Sequence, residues 1–353
     1  MKKNQFVFIT SHSPYQTNQA SVLKIYSEAK KSDLVDVKII CLGLSIARLL
    51  YSRKNFNLFF KHLMNFDLHL FSIYEPLPIN GIFSKPLEML NIIWSWKFIF
   101  ILLITVKKNG ILFFEAGSSS FIIEKILSKS YLRERWNIIY RINDLPGSFR
   151  IFESYSKKND KIISYKLDNL IISSPSKIPY EKCNKIVIPP GVNNNSLINS
   201  KVKKQNIIIY PGMYPISAED LKIIEKQYLN YRIFYTGPYA CKSNRIFNLG
   251  IINPKDLEHY FKIAKAGIMI FPNKNYEWFL NSNKMIMFKA LGIPILANNS
   301  FELDLTKYNI HSIYGKKIDF IKSKKNPIKP YTWENVFNEH LKVFLPEVRK
   351  III

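Results

Sequence analysis

The triplet Ser282-Asn283-Lys284 has the plainest chemical meaning in the sequence. It opens an apolar segment that closes at Gly292, so a hydroxyl, an amide and an ammonium gather at the expected start of a short helix. Unsatisfied N–H groups and the positive end of the helix dipole make such a point favourable for a phosphate, and a Lys ammonium adds a full charge. The same residues also read as an ordinary capped helix start with a solvated lysine. Upstream, GIMIFP (267–272) reads as a buried strand ending at Pro272, and Asn273 to Asn281 is a polar, aromatic loop. Downstream, Ile293 to Ala297 reads as the next strand, completing one α/β unit.

The elements that must position this triplet repeat the same pattern. Gln5 to Thr10 is an apolar strand entering the loop Ser11-His12-Ser13-Pro14, and Asn18 to Lys30 has helical spacing. Strands follow at Asp36 to Leu42, Leu68 to Tyr74, Gly110 to Glu115, Asn137 to Ile142, Asn169 to Ser173 and Lys185 to Pro189, with helical segments between several of them. Asn193 to Asn206 is a polar, lysine-rich run that reads as a linker, after which the pattern restarts. Strands are expected at 207–210, 231–235 and 245–249, and helices at 217–227, 255–265 and 332–353. Regular strand–helix alternation predicts an α/β chain of two doubly wound, Rossmann-like domains facing a cleft. The domains are expected at 1–195 and 205–331, with the helix 332–353 packing back across them.

Bulk properties narrow the class. A chain of 353 residues is long for one core, and 47% hydrophobic with 14% aromatic residues is enough to fill two. Lys and Arg number 51 against 26 acids, a formal net charge of +25, which predicts attraction to polyanionic surfaces. No zinc-finger or RNP-type pattern points that charge at nucleic acid. Cys41, Cys183 and Cys241 are scattered, so neither a disulfide framework nor a zinc site is expected, and a reducing cytoplasm fits. Ile92 to Val106, interrupted by Lys97, is shorter than the roughly 20 residues of a spanning helix and reads as a buried or an interfacial one.

Ligands of open parallel sheets bind beyond the carboxyl ends of the strands, which makes the polar loops there the candidates. They are Ser11 to Gln16, Gly117 to Ser120, Asn143 to Gly147, Gly212 to Pro215, Gly237 to Tyr239 and Asn273 to Lys284. No GxGxxG follows the first strand and no P-loop motif occurs, against dinucleotide redox and P-loop chemistry. Ser118 lies in AGSSS rather than GxSxG, so a hydrolase elbow is unsupported.

Five short stretches, in order, carry a resemblance. Pro189-Pro190-Gly191-Val192 is similar to the turn that ends the first domain of GT-B glycosyltransferases, and Tyr210-Pro211-Gly212-Met213 to the first strand and glycine turn of their donor domain. Phe234-Tyr235-Thr236-Gly237-Pro238, Asn248 to Pro254 with Leu257, and Ser282-Asn283-Lys284 through Gly292-Ile293-Pro294-Ile295 resemble three further pieces of that domain. Within the class the chain resembles the exopolysaccharide and capsule glucuronosyltransferases of the xanthan-assembly kind.

The resemblance implies an NDP-sugar-dependent glycosyltransferase of surface polysaccharide biosynthesis, with the nucleotide sugar as co-substrate and no cofactor. Asp144 in RINDL matches the family's catalytic aspartate and would be the base; it also reads as a helix cap or an ion-pair partner of Arg141 or Arg150. Lys284 matches the lysine at the donor helix and would stabilise the departing diphosphate. Gly212, Met213, Tyr214, Gly237, Pro238, Asn273, Ser282, Asn283 and Met287 would complete the donor site. Met287 stands where the family places a Glu or Gln on the donor ribose, and Asn273 where a Tyr is common. His12 and Glu115 are candidates for the acceptor side. No DxD occurs, only Glu302-x-Asp304, so a metal-independent reaction is expected. The acceptor is expected to be a lipid-linked saccharide, and the protein to sit peripherally on the inner face of the cell membrane. A basic, aromatic segment from Arg48 to His62 would meet anionic lipid there. The alternatives are a scaffold of the same fold that lost donor recognition, and a sugar-nucleotide epimerase.

Overall fold

The computed structural model describes residues 3–10, 21–42, 57, 84–115, 119–142, 163, 166–167, 170–172, 185–192, 202–212, 216–237, 243–270, 282–298, 309–323 and 331–344. The chain divides into two units, Met1–Pro189 together with Trp333–Ile353, and Pro190–Thr332.

In the first unit, β1 (Asn4–Thr10), β2 (Val35–Cys41), β3 (Ile111–Glu115), β4 (Asn137–Ile142), β5 (Leu170–Ile172) and β6 (Lys185–Val187) form one sheet in the order β2-β1-β3-β4-β5-β6. Every pairing is parallel. The unbroken apolar runs FVFI and ILFF follow from this, because a parallel sheet is covered on both faces and has no side to leave polar. One face, with Val7, Ile9, Leu112 and Phe114, packs under α2 (Ser84–Thr105) and α3 (Ser120–Ser128). The other, with Phe6, Phe8 and Phe113, packs under α1 (Ser21–Lys31) and the C-terminal helix, which bears Trp333, Val336, Phe337 and Leu341. A four-residue turn of helix, α4 (Ser130–Arg133), leads into β4.

The second unit repeats the plan. Strands β7 (Ile207–Pro211), β8 (Arg232–Thr236), β9 (Ile246–Asn248), β10 (Ala266–Met269), β11 (Ile295–Ala297) and β12 (Ile310–Ser312) lie in the order β12-β11-β10-β7-β8-β9, again all parallel. Each helix start has a chemical cause. Ser217 Oγ accepts the Asp220 N–H at α5 (Ala218–Gln227). Asn253 Oδ1 accepts the Asp256 N–H at α6 (Pro254–Ile263), whose first residue is the proline that tolerates this position. Ser282 caps α7 (Asn283–Leu291), and Gly292 ends it in the left-handed conformation at φ 63°. The chain then returns to the first unit as α8 (Trp333–Phe344), which packs on α1 with the Lys24 ammonium 5.1 Å from the Trp333 ring centroid.

The structure moves some expected boundaries. The strand expected over 267–272 begins at Ala266 and ends at Met269. The strand β12, with His311 at its centre, and the helix α4 have no counterpart in the sequence reading. The strand expected at Leu68 to Tyr74 and the basic segment Arg48 to His62 lie outside the described residues, Asn57 excepted.

In unit two the helix that carries the triplet is held tight against its strand. A Cβ on Gly267 of β10 would fall 2.2 Å from the Phe288 ring of α7, so the glycine is what lets ring and strand touch. Gly267→Ala should therefore overpack the core and destabilise the protein by about 1–3 kcal/mol, read as a lower urea midpoint with an unchanged m-value. A midpoint equal to wild type would show that the helix is free to shift.

Candidate functional site

Each sheet has one place where its winding reverses. In the second unit β7 is flanked by β8 on one side and β10 on the other, so the switch point lies between the carboxyl ends of β7 and β10. Gly212 follows β7 directly. Beside it, Gly237 follows β8, and the two turns touch backbone to backbone: a Cβ on Gly237 would meet the Gly212 carbonyl oxygen at 2.2 Å. Beneath them the Tyr210 and Tyr235 rings stack at 5.2 Å, and a Cβ on Gly212 would fall 2.0 Å from a Tyr210 ring atom. Both glycines are thus required by close approach before any ligand is considered.

The helix after β10 is α7, and in a parallel crossover it starts at that same carboxyl edge. Ser282 Oγ accepts the Met285 N–H at 3.4 Å, and the Ser282 carbonyl accepts from Ile286. The amides of Asn283 and Lys284 have no acceptor within the helix, as helix geometry requires. Asn283 is exposed, whereas Lys284 is half-buried, and burial lowers its pKa to about 8. Desolvation is the cause, and no counter-charge among the described residues offsets it. A half-buried ammonium at a helix N-terminus, together with unbonded amides, is an arrangement that gains from an anion. Met287 is partly buried and packs against the core cluster that holds Phe261 and Phe288.

The first unit has its own switch point, between β1 and β3. Here a polar row crosses the sheet. Glu115 ends β3 and stands in register with Arg141 on β4. Thr10, the last residue of β1, donates to Glu115 Oε2 at 2.7 Å, and Ser119 Oγ donates to the Glu115 carbonyl oxygen. Arg141 is fully buried; desolvation lowers its pKa to about 10, partly offset by the Glu115 carboxylate. From α8, His340 reaches the same region. Its Nδ1 lies 2.6 Å from the Val336 carbonyl, so Nδ1 carries the proton, and its ring sits 5.3 Å from that of Phe113. Nε2 is buried with no hydrogen-bond partner among the described residues. Burial first, and then the Arg141 cation, lower the His340 pKa to about 3.

Of the expected site residues, the structure brings Gly212 and Gly237 together and sets Ser282, Asn283 and Lys284 at the N-terminus of α7. Glu115 lies in the buried row of the first unit. His12, Asp144, Met213, Tyr214, Pro238 and Asn273 lie outside the described residues. Thr10, Arg141 and His340 were not singled out by sequence. The signal was there for the first two, a polar residue at or next to the end of an apolar strand in FVFIT and IIYRI. Among the described residues no group of three or more His, Cys, Asp or Glu stands close enough to hold a metal ion.

No family model matches the sequence, and no curated protein matches it. Solved structures do. The chain is similar to the N-terminal domain of Candida albicans trehalose-6-phosphate phosphatase, with a TM-score of 0.55 at 8% identity over 97% of this chain and 99% of that one. It is similar to the catalytic domain of starch synthase IV from Arabidopsis thaliana, with a TM-score of 0.53 at 8% identity over 99% and 100%. It is also similar to the trehalose 6-phosphate synthase of Burkholderia multivorans, with a TM-score of 0.50 at 8% identity over 99% and 97%. At such identities the likeness is one of fold. The fold is GT-B: two doubly wound, parallel-sheet α/β domains in one chain.

The neutral state of His340 has a thermodynamic signature. Its folded pKa, about 3, lies below its ordinary value of 6.5, so the unfolded chain takes up a proton first as pH falls and stability drops across that window. At pH 5 this one group costs about 2 kcal/mol relative to pH 7.5. In urea unfolding, His340→Phe should lose about that much less stability than wild type between pH 7.5 and pH 5. Equal losses would mean that His340 is protonated in the folded protein.

Proposed function

We propose that the protein is a glycosyltransferase that moves a sugar from a nucleoside-diphosphate donor to a saccharide acceptor. The observation that carries the reading is Lys284: a half-buried ammonium, with no counter-charge among the described residues, at the Ser282-capped start of the helix that follows a switch-point strand. A site of this kind meets the main electrostatic demand of the reaction, the negative charge that develops on a departing diphosphate. The fold supports the reading, since the similar starch synthase structure is bound to ADP and acarbose.

In the proposed reaction the acceptor hydroxyl attacks the anomeric carbon of the donor sugar. As the new C–O bond forms, the bond from that carbon to the diphosphate breaks and its electron pair leaves with the nucleoside diphosphate. Asp144, three residues beyond Arg141, takes the hydroxyl proton. Lys284 and the α7 amides meet the leaving charge, and Gly212 and Gly237, with Met213, Tyr214, Pro238 and Asn273, line the nucleotide. Met287, whose thioether offers no hydrogen bond to match a carboxylate's, contributes apolar contact on the donor side, so specificity for the ribose falls to backbone groups and to Ser282 and Asn283. His12 and Glu115 belong to the acceptor side, Glu115 through the row it forms with Thr10 and Arg141. The reaction as proposed uses no cofactor and no metal. Exopolysaccharide or capsule assembly is the setting, with a lipid-linked acceptor at the cytoplasmic face of the membrane. Among the described residues no helix is long and apolar enough to cross a bilayer.

Donor binding is the first measurement. A UDP- or GDP-sugar should raise the melting temperature, and Lys284→Ala should weaken binding roughly tenfold to a hundredfold, the loss of one charge-assisted hydrogen bond. Wild-type affinity should also fall as pH rises above about 8, where the Lys284 ammonium loses its proton, and the variant should lack that fall. If no nucleotide sugar shifts the melting temperature and Lys284→Ala changes nothing, the chain is a binding scaffold.

The base is tested separately. Asp144→Ala should abolish transfer, with the donor-induced melting shift intact, because a base contributes to turnover rather than to donor affinity. Unchanged turnover would remove Asp144 from that role.

A further inference from the structure

The helix α2 is apolar on both sides, yet only one side is covered. Trp94, Phe98 and Leu102 are buried against the sheet, whereas Met89 is 65% exposed, Ile93 54%, Phe100 64% and Ile104 68%. At 3.6 residues per turn these four fall within an arc of about 60°, and they run for about 22 Å along the helix. Folded proteins rarely leave so many large apolar side chains in a line against water without a use for them.

What lies at the end of this stripe identifies its partner. After the helix, Lys107 and Lys108 stand exposed in a turn that is bonded to the turn before β4: Asn109 N–H donates to the Arg135 carbonyl at 2.8 Å, and Asn137 N–H to that of Gly110 at 3.0 Å. Arg135 reaches back to the Leu103 carbonyl at 3.5 Å, and Arg133 is exposed beside it. Four basic residues therefore gather where the stripe ends, with Glu134 the one acid in those two turns, and Lys97 adds another cation at the stripe's edge. An apolar face with a cationic rim complements the two layers of an anionic bilayer surface, acyl chains and phosphate headgroups.

We infer that the exposed face of α2 is the membrane-docking surface of this protein, with the helix lying in the plane of an anionic bilayer. The apolar side chains enter the acyl boundary and the lysine–arginine rim meets the headgroups. The inference rests on the membrane setting of the function proposed above, but not on sugar transfer itself.

Vesicle flotation of the full chain tests it. Wild type should float with phosphatidylcholine vesicles containing phosphatidylglycerol and much less with phosphatidylcholine alone. The double variant Phe100→Glu, Ile104→Glu alters only exposed positions and should keep its far-ultraviolet spectrum and melting temperature while binding at least about tenfold more weakly. Lys107→Glu with Lys108→Glu should lose the preference for anionic vesicles. Binding that ignores lipid charge, or that survives the double variant, would overturn the assignment. So would a dimer in solution that the double variant dissociates, since the stripe would then be an interface between copies. Lys284→Ala should still float, and the double variant should still respond to a nucleotide sugar, so the docking and transfer readings can fail independently.

Discussion

A parallel sheet covered on both faces leaves only its ends for chemistry. Hydrogen bonds between the strands satisfy the backbone, helices hide both surfaces, and any polar side chain in the middle of a strand would be desolvated without compensation. The first unit obeys this closely. The inner strands β1, β3 and β4 are apolar through their middles, and the polar groups Thr10, Glu115 and Arg141 fall in one row toward the carboxyl edge. A guanidinium buried there would be prohibitive alone, and Glu115 answers it from the neighbouring strand. The pair is retained at a cost in desolvation, and that cost falls at the switch point, where the fold leaves room for a ligand.

In the second unit the same constraint acts through packing. Gly267 admits the Phe288 ring, so α7 lies close on β10, and the position of its N-terminus is inherited from a contact in the core. Ser282 satisfies one amide, the helix itself leaves those of Asn283 and Lys284 without an acceptor, and Lys284 stands half-buried at that N-terminus. Tyr210, Tyr235, Gly212 and Gly237 show the same coupling, with stacked rings below and touching backbones above.

How much of this could be read from sequence depended on distance along the chain. FVFIT, ILFFE and NIIYRI announce strands because the pattern is local, and Ser282 with Gly292 bracket α7 because caps are local too. Three-residue β12 gives no such pattern, and its centre is a histidine. Glu115 was legible as a polar strand end, but its hydrogen bond to Thr10 and its place beside Arg141 arise from strand register, which brings together residues 105 and 26 positions apart. His340 joins that region only because the C-terminal helix returns to the first unit. The double nature of α2 was invisible for another reason. A helix apolar all round carries no periodicity that says which side is covered, and only tertiary packing divides Trp94 and Phe98 from Ile93 and Phe100.

The large positive charge acquires two distinct meanings once it is located. Exposed cations, such as those around Lys107 and Lys108, act through a field that salt screens within about 10 Å, so they suit a broad, laterally uniform partner. A desolvated cation such as Lys284 is screened far less, which is what the proposed diphosphate site would draw on. Net charge alone distinguishes neither. The distinction comes from burial: under the proposed function the half-buried lysine is the one that would discriminate among ligands, and those left in water would attract a surface.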